Sequence, residues 1–273
     1  MSVKSFIAAC IAFAVCILMA VLPTSAQTAQ DDYARLLKTY VHRSADGVNL
    51  VDYASWQGND ADRAALSGYL EYLHKQKPSQ MPRDEAFVFW INLYNAATLN
   101  AVLENYPVDS IRDIKSEGTS LLDFKAFFGP WRTKLTTIEG EKHSLDDIEH
   151  DIIRPTYKDA RSHYALNCAS LGCPNLKITP WWAETLEADL EVAAAEFINH
   201  PRGVKVQPDG ALMVSSIYEW FRDDFGGSDQ AVIAHLRKYA KPELAVKLKG
   251  RPRIGGHSYD WTLNEQTSST AVH

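Results

Sequence analysis

The sequence predicts an α+β fold, and three observations predict it. Long stretches place apolar residues at helical spacing, and a few short apolar or alternating runs lie between turn residues as strands do. No Pro/Gly/Ser linker, repeat or charge block divides the interior. The expectation is a mainly helical single domain with a small, mostly antiparallel sheet. Its boundaries are a signal peptide over 1–26, an N-terminal segment and helix over 27–44, the domain over 45–264, and a disordered tail over 265–273.

Met1-Ser-Val-Lys4-Ser5 gives a short basic start, and Phe6 to Leu22 is an uncharged apolar run of 17 residues. Pro23 breaks that run, and Thr24-Ser25-Ala26 supplies small residues, so cleavage is expected after Ala26. The chain is thus expected to be exported, to the periplasm or beyond, with no stable membrane span after cleavage. Lipidation does not fit, because Cys10 and Cys16 lie inside the run. Without Lys4 the chain has 27 basic residues against 34 acidic, a net charge of −7. That balance speaks against a nucleic-acid partner, and a small-molecule or peptide substrate is the expected one.

Gln27 to Asp31 is polar and expected to be disordered, with a helix over Asp32–Tyr40. Asp46-Gly47 marks a turn before an extended Val48–Tyr53. Asp60–Lys75 has helical apolar spacing, and Arg83–Asn105 is apolar nearly all round, as a central helix is. Tyr106-Pro107 stops it, and Ile111–Ile114 opens a connection to the aromatic stretch Phe124–Trp131. Thr133–Ile138 reads as a strand. Ser144 and Asp147 form a capping-box pattern for a helix from Leu145 to Ile153, ending at Arg154-Pro155. His163–Asn167 reads as extended, Trp181–Asn199 as a helix, and Val204–Val206 with Ala211–Val214 as a hairpin. Ile217–Phe221 and Asp229–Tyr239 read as helices.

Chemistry concentrates in His163-Tyr-Ala-Leu-Asn167-Cys168-Ala-Ser170-Leu-Gly172-Cys173-Pro174. This run, together with Phe89-Trp90-Ile91-Asn92-Leu93-Tyr94-Asn95 and Ser144-Leu-Asp-Asp-Ile-Glu149-His150 with Arg154, resembles the bacterial and plant family called domain of unknown function 547. Val51-Asp52-Tyr53 and Ser215-Ser-Ile-Tyr-Glu-Trp-Phe221 resemble its flanking pieces, so the likeness covers roughly residues 45–225. The resemblance implies that Glu149, His150, His163, Asn167, Cys168, Ser170 and Cys173 lie at signature positions of an exported member, and it implies no activity.

Three readings of the cysteine loop stand side by side. In the first, Cys168 is a nucleophile toward an amide or ester carbon, making the chain a thiol-dependent hydrolase or acyltransferase with a papain/transglutaminase-like arrangement. His150 or His163 would be the base, and Glu149 or Asn95 its orienter. Backbone N–H groups after Cys168 would stabilise the oxyanion, with His163 and Asn167 as loop supports or further donors. Five residues along an extended piece put His163 and Cys168 on opposite faces, which favours His150 as the base.

In the second, Cys168, Cys173 and a histidine hold zinc, although no histidine pair at ligand spacing accompanies them. In the third, a Cys168–Cys173 disulfide pins a loop of a non-catalytic binding or scaffold domain. Asn92 and Asn95, three apart on one helix face, are expected to brace a neighbouring loop. Arg154 and Arg161 are expected in structural ion pairs, and Trp181-Trp182 and Trp220-Phe221 in the core. No cofactor motif is present and none is expected.

Overall fold

A computed structural model of the chain describes residues 25–115, 129–250 and 252–266. The expected signal segment as far as residue 24, residues 124–128 of the aromatic stretch, and the tail from residue 267 lie outside the described residues.

Helix α1 (Ser25–Tyr40) starts ahead of its expected beginning. Gln27–Asp31 is helical rather than disordered because Ala29 packs on the core and Gln30 Nε2 donates to the Tyr72 hydroxyl at 3.3 Å. The chain passes into β1 (Val41–Arg43), turns at Asp46-Gly47 and returns as β2 (Asn49–Val51), with Val41 opposite Val51. After α2 (Tyr53–Gln57), α3 (Asp60–His74) is capped by the Asn59 side chain, which accepts from the Asp62 N–H at 3.1 Å. Tyr40 Oη (2.6 Å) and Arg35 Nη1 (2.7 Å) donate to the buried Asp62 carboxylate and tie α1 to α3. Burial alone would raise the Asp62 pKa; these donors hold it below the usual carboxylate range.

Helix α4 (Arg83–Asn105) is the centre of the larger core, with Ile91, Leu93, Ala96 and Val102 fully buried. By length and composition it could cross a bilayer, but its apolar window is 94% buried within the fold. Strands β3 (Thr136–Ile138) and β4 (Glu141–His143) form a hairpin. The capping box then forms reciprocally: Ser144 N–H and Oγ–H donate to Asp147 Oδ2 at 2.5 and 2.6 Å, and Asp147 N–H donates to Ser144 Oγ at 3.2 Å.

The helix it starts does not end at Arg154-Pro155. Its turns over Asp147–Ile153 are π-wound and run on into α5 (Arg154–Tyr157). Pro155 has no N–H to donate and its ring crowds the preceding turn. A wider turn, in which Arg154 N–H reaches back to Glu149 O, accommodates it. The chain leaves at Lys158, whose φ of 52° is left-handed.

Helix α6 (Leu186–Ile198) leads to the hairpin β5 (Val204–Val206) and β6 (Leu212–Ser215), with Val204 opposite Val214. Then come α7 (Ile217–Trp220), α8 (Asp229–Tyr239, capped by Ser228), α9 (Pro242–Lys247) and β7 (Ile254–Ser258). β7 pairs parallel with β6, so this sheet is mixed while the two hairpins are antiparallel. The architecture is mainly helical α+β, as the sequence predicts. Glu265 and Gln266 are not part of a disordered tail, since Glu265 bridges to Val51 and Gln266 N–H donates to Val51 O at 2.9 Å.

Two hydrophobic clusters organise these elements. One gathers α1, α3 and α4; the other gathers α6, α8 and the β5–β6 hairpin around Phe197, Leu212, Val232 and Leu236. The boundary between them runs through the chain just ahead of the cysteine loop, with Tyr164 in the second cluster and Ala165 and Leu166 in the first.

Candidate functional site

The cysteine loop is placed by buried amides. Asn95 on α4 donates from Nδ2 to Ala165 O and accepts from the Asn167 N–H through Oδ1, both at 2.9 Å. One turn earlier, Asn92 makes the same pair of bonds to the backbone of Trp181, at 2.9 and 3.0 Å. Asn167 is itself buried; its Nδ2 donates to Pro174 O (2.8 Å) and its Oδ1 accepts from the Ala169 N–H (2.9 Å), closing the loop across its neck. Asn167 is therefore a brace across the neck of the loop.

Inside that neck, Ala169 adopts a left-handed φ of 58°, an unusual conformation for a residue with a Cβ. Gly172 packs against the chain from the far side: a Cβ there would lie 2.7 Å from Asp260 N and 2.8 Å from Asp260 O. The approach is fixed by Leu171 N–H to Thr262 O and Gly172 N–H to Asp260 O, both 2.8 Å. This contact carries Tyr259, one residue beyond β7, onto the two sulfurs.

Cys168 and Cys173 are unbridged, Cys168 partly exposed and Cys173 buried. Cys168 N–H donates to Cys173 Sγ at 2.9 Å, and Tyr259 Oη–H donates to the same sulfur at 3.1 Å. Tyr259 Oη is also 3.0 Å from Cys168 Sγ and 3.0 Å from Ser170 Oγ, which lies 3.3 Å from Cys168 Sγ.

Burial would raise the Cys173 pKa. Hydrogen bonds from the Cys168 thiol, Tyr259, the Cys168 N–H and Ser170 outweigh it and bring Cys173 down to about 7. The Cys168 thiol, whose proton is held by that neighbouring sulfur and which burial also disfavours as an anion, is pushed well above its ordinary value. The pair shares one proton, and its first ionisation belongs to both sulfurs.

The sulfurs open into a cleft of about 420 Å³ at the seam of the two hydrophobic clusters. Its lining includes Tyr94, Glu149, His150 and His163 together with the rings of Trp131, Trp220, Phe221, Tyr259 and Trp261. The expectation that Trp220-Phe221 belongs to the core does not hold. Trp220 is instead 47% exposed, and both rings line the cleft, because α7 ends there and turns its last side chains outward.

The histidines do not take the expected positions. His163 belongs to a 3₁₀ turn, Ala160–Tyr164, rather than to an extended piece. Asp159 caps that turn by accepting the Arg161 N–H at 2.9 Å, which ends any extended course. His163 is buried, stacks on Phe221 at 4.2 Å, and lies between two carboxylates: Nε2 is 2.7 Å from Asp224 Oδ2 and Nδ1 is 3.6 Å from Glu149 Oε1. Burial would lower its pKa, but the two carboxylates hold it above the ordinary imidazole value. A doubly bonded imidazolium is a poor base.

His150 lines the cleft but hydrogen-bonds neither sulfur. Its Nδ1 accepts from Arg154 Nη1 at 3.0 Å and its Nε2 lies 3.9 Å from Asp146. Glu149 therefore orients His163, not His150. Asp224 is held far below the usual carboxylate range by His163 and Arg154; Arg154 grips it with Nε at 2.6 Å and Nη2 at 3.2 Å. Arg161 stands away from the cleft, paired with Asp159, Glu187 and Glu191.

Most of the backbone N–H groups around Cys168 are also not free to serve as oxyanion donors. The N–H groups of Cys168, Ala169, Leu171, Gly172 and Cys173 are committed to Cys173 Sγ, Asn167 Oδ1, Thr262 O, Asp260 O and Ser170 O. Among the described residues, no cluster of three His, Cys, Asp or Glu side chains is placed to hold a metal ion.

Tyr259 and Asp224 join the site without a local signal in the sequence, and Tyr94, from the Phe89–Asn95 run, joins it with its hydroxyl 3.5 Å from Glu149 Oε2. Arg202 does so too, with Nη1 donating to Leu171 O (3.2 Å) and Nη2 to Asn175 Oδ1 on the outer side of the loop. Asp224 and Tyr259 are 61 and 91 residues from their partners. No curated protein and no solved structure matches the chain. Residues 78–198, which carry α4, the capping box, Glu149–His150 and the cysteine loop, match the family model described as "Protein of unknown function, DUF547".

Proposed function

We propose that this protein is a thiol-dependent hydrolase or acyltransferase acting on an amide or ester, with Cys168 as the nucleophile and the Cys173 sulfur as its proton acceptor. The observation that carries the reading is the hydrogen-bonded sulfur pair at the floor of the cleft, in which Cys173 collects the Cys168 N–H at 2.9 Å and the Tyr259 hydroxyl at 3.1 Å. A base with a pKa of about 7 is suited to work near neutrality.

As Cys168 Sγ bonds to the acyl carbon, its proton passes to Cys173. The expelled alcohol or amine takes that proton back, leaving a thioester that water or a second nucleophile resolves. Once Cys173 has taken the Cys168 proton it no longer needs the Tyr259 hydroxyl, which lies 3.0 Å from Cys168 Sγ, is kept protonated by burial and the neighbouring sulfurs, and turns its hydrogen bond to the developing oxyanion. Its place in this scheme makes Cys173, not His150, the base within reach. The apolar run at Phe6–Leu22 supports action outside the cytoplasm, on a small-molecule or peptide substrate.

The test is incubation of the reduced protein with p-nitrophenyl acyl esters and intact-mass analysis. The expected result is an acyl adduct on Cys168 that is lost in Cys168→Ser and forms more slowly in Cys173→Ser. Adducts that persist in Cys168→Ser overturn the assignment. A protein isolated two mass units light that takes no acyl group even after reduction supports instead a non-catalytic domain with a Cys168–Cys173 bridge.

A further inference from the structure

Among the charges of the cleft that the scheme above does not use is that of Arg112. Arg112 reaches the cleft from the 3₁₀ turn Ile111–Asp113, and its guanidinium lies over the Trp261 ring, 5.3 Å from the centroid. It has no carboxylate partner among the described residues, whereas the acids of the cleft are engaged. Asp146 is 3.3 Å from Arg132 and 3.9 Å from His150, and Glu149 faces His163.

Arg112 is also held in place. Ser110 Oγ–H donates to Trp261 O at 2.7 Å and Ser110 Oγ accepts the Arg112 N–H at 3.3 Å, so one hydroxyl registers the arginine turn against the tryptophan segment. Leu263 N–H to Asp109 O, 2.8 Å, adds a second tie. The ring beneath the guanidinium belongs to an aromatic wall: Trp261 lies 4.6 Å from Tyr259, 5.6 Å from Trp220 and 5.6 Å from Trp131. A flat guanidinium supported on an indole keeps its donor fork free and suits bidentate binding of a carboxylate. The rings beside it suit a planar or weakly hydrated group.

We infer that the cleft selects an anionic acyl substrate, its carboxylate on Arg112 and its planar or apolar part against Trp220 and Trp261. This inference rests on the reading of Cys168 as a reactive thiol and adds the class of substrate it meets.

Two alkylating reagents of the same shape and different charge separate the claims. The thiolate sulfur displaces iodide from the CH₂ carbon of iodoacetate or of iodoacetamide, and the mass of each adduct on Cys168 gives its rate. Relative to glutathione measured alongside, the reduced protein should favour iodoacetate over iodoacetamide by about fivefold or more, as expected for a nearby fixed cation. Arg112→Gln should bring the ratio to the glutathione value, and Arg112→Lys should retain part of the preference. A wild-type ratio no higher than that of glutathione, with Cys168 labelled by both reagents, overturns the anion site and leaves the thiol reading intact. Labelling by neither reagent overturns the thiol reading and this inference with it.

Discussion

The backbone N–H of Cys168 lies 2.9 Å from the sulfur of Cys173, so each cysteine sets the ionisation of the other. The left-handed φ of 58° at Ala169 folds the loop into that contact, and the Asn167 amide holds it closed.

Removing the acceptor should move the first ionisation of the pair. In Cys173→Ser the sulfur that ionises near 7 is gone, and the one thiol left, Cys168, comes down from its raised value to an ordinary one of about 8.5. Thiolate absorbance at pH 7 should fall about fifteenfold, with the midpoint of the pH titration displaced upward. An unchanged midpoint would remove Cys173 from the role of acceptor.

Tyr259→Phe deletes a hydroxyl that contacts both sulfurs at 3.0 and 3.1 Å. Thiolate absorbance followed against pH should show the first ionisation of the pair moving up by about one pH unit, the worth of one hydrogen bond to a charged group.

The His163 clamp should make stability depend on pH in a defined direction. Its folded-state pKa lies above the unfolded imidazole value of about 6.5, so its contribution is fully present below that pH and is lost as pH rises through the folded value. Asp224 and Glu149 have depressed values, so theirs is present above about 4 and lost on acidification. The network is thus complete between the two limits. Urea unfolding at pH 6 should show His163→Gln destabilised by about 3 kcal/mol, because two buried or half-buried carboxylates lose their cation. At alkaline pH, above the folded His163 value, the difference from wild type should shrink; a difference that grows instead would place the charge elsewhere.

Asn95→Ala leaves the Ala165 carbonyl and the Asn167 N–H without their buried partner. Denaturant unfolding should register a loss of about 2–3 kcal/mol. Hydrogen exchange should show the Asn167 and Ala169 amides opening before the rest of the core.

Much of the fold was legible because its signals are local. The spacing in Asp60–Lys75 and the all-round apolar character of Arg83–Asn105 correspond to α3 (Asp60–His74) and α4 (Arg83–Asn105) with little displacement. The Ser144–Asp147 box forms as its pattern implies. What failed locally failed for tertiary reasons. Gln27–Asp31 has little apolar character of its own and is helical because its first turns rest on α3 residues such as Tyr72. β7, with Gly255 and Gly256, has poor strand propensity and is held by its pairing with β6.

The helical frame, the two amides of α4 and the concentration of chemistry around Cys168 follow from local sequence, because periodicity, capping and motif density are properties of neighbouring residues. Which groups meet there follows from the folded arrangement. Tyr259 reaches the sulfurs from 91 residues away because Gly172 admits the Asp260 backbone. Asp224 turns His163 from a candidate base into a clamped cation, and most of the loop's N–H groups are taken up within the loop or by the backbone of Asp260 and Thr262. Hydrogen bonds and charge act through space at 3 to 4 Å, a distance that separation along the chain does not encode.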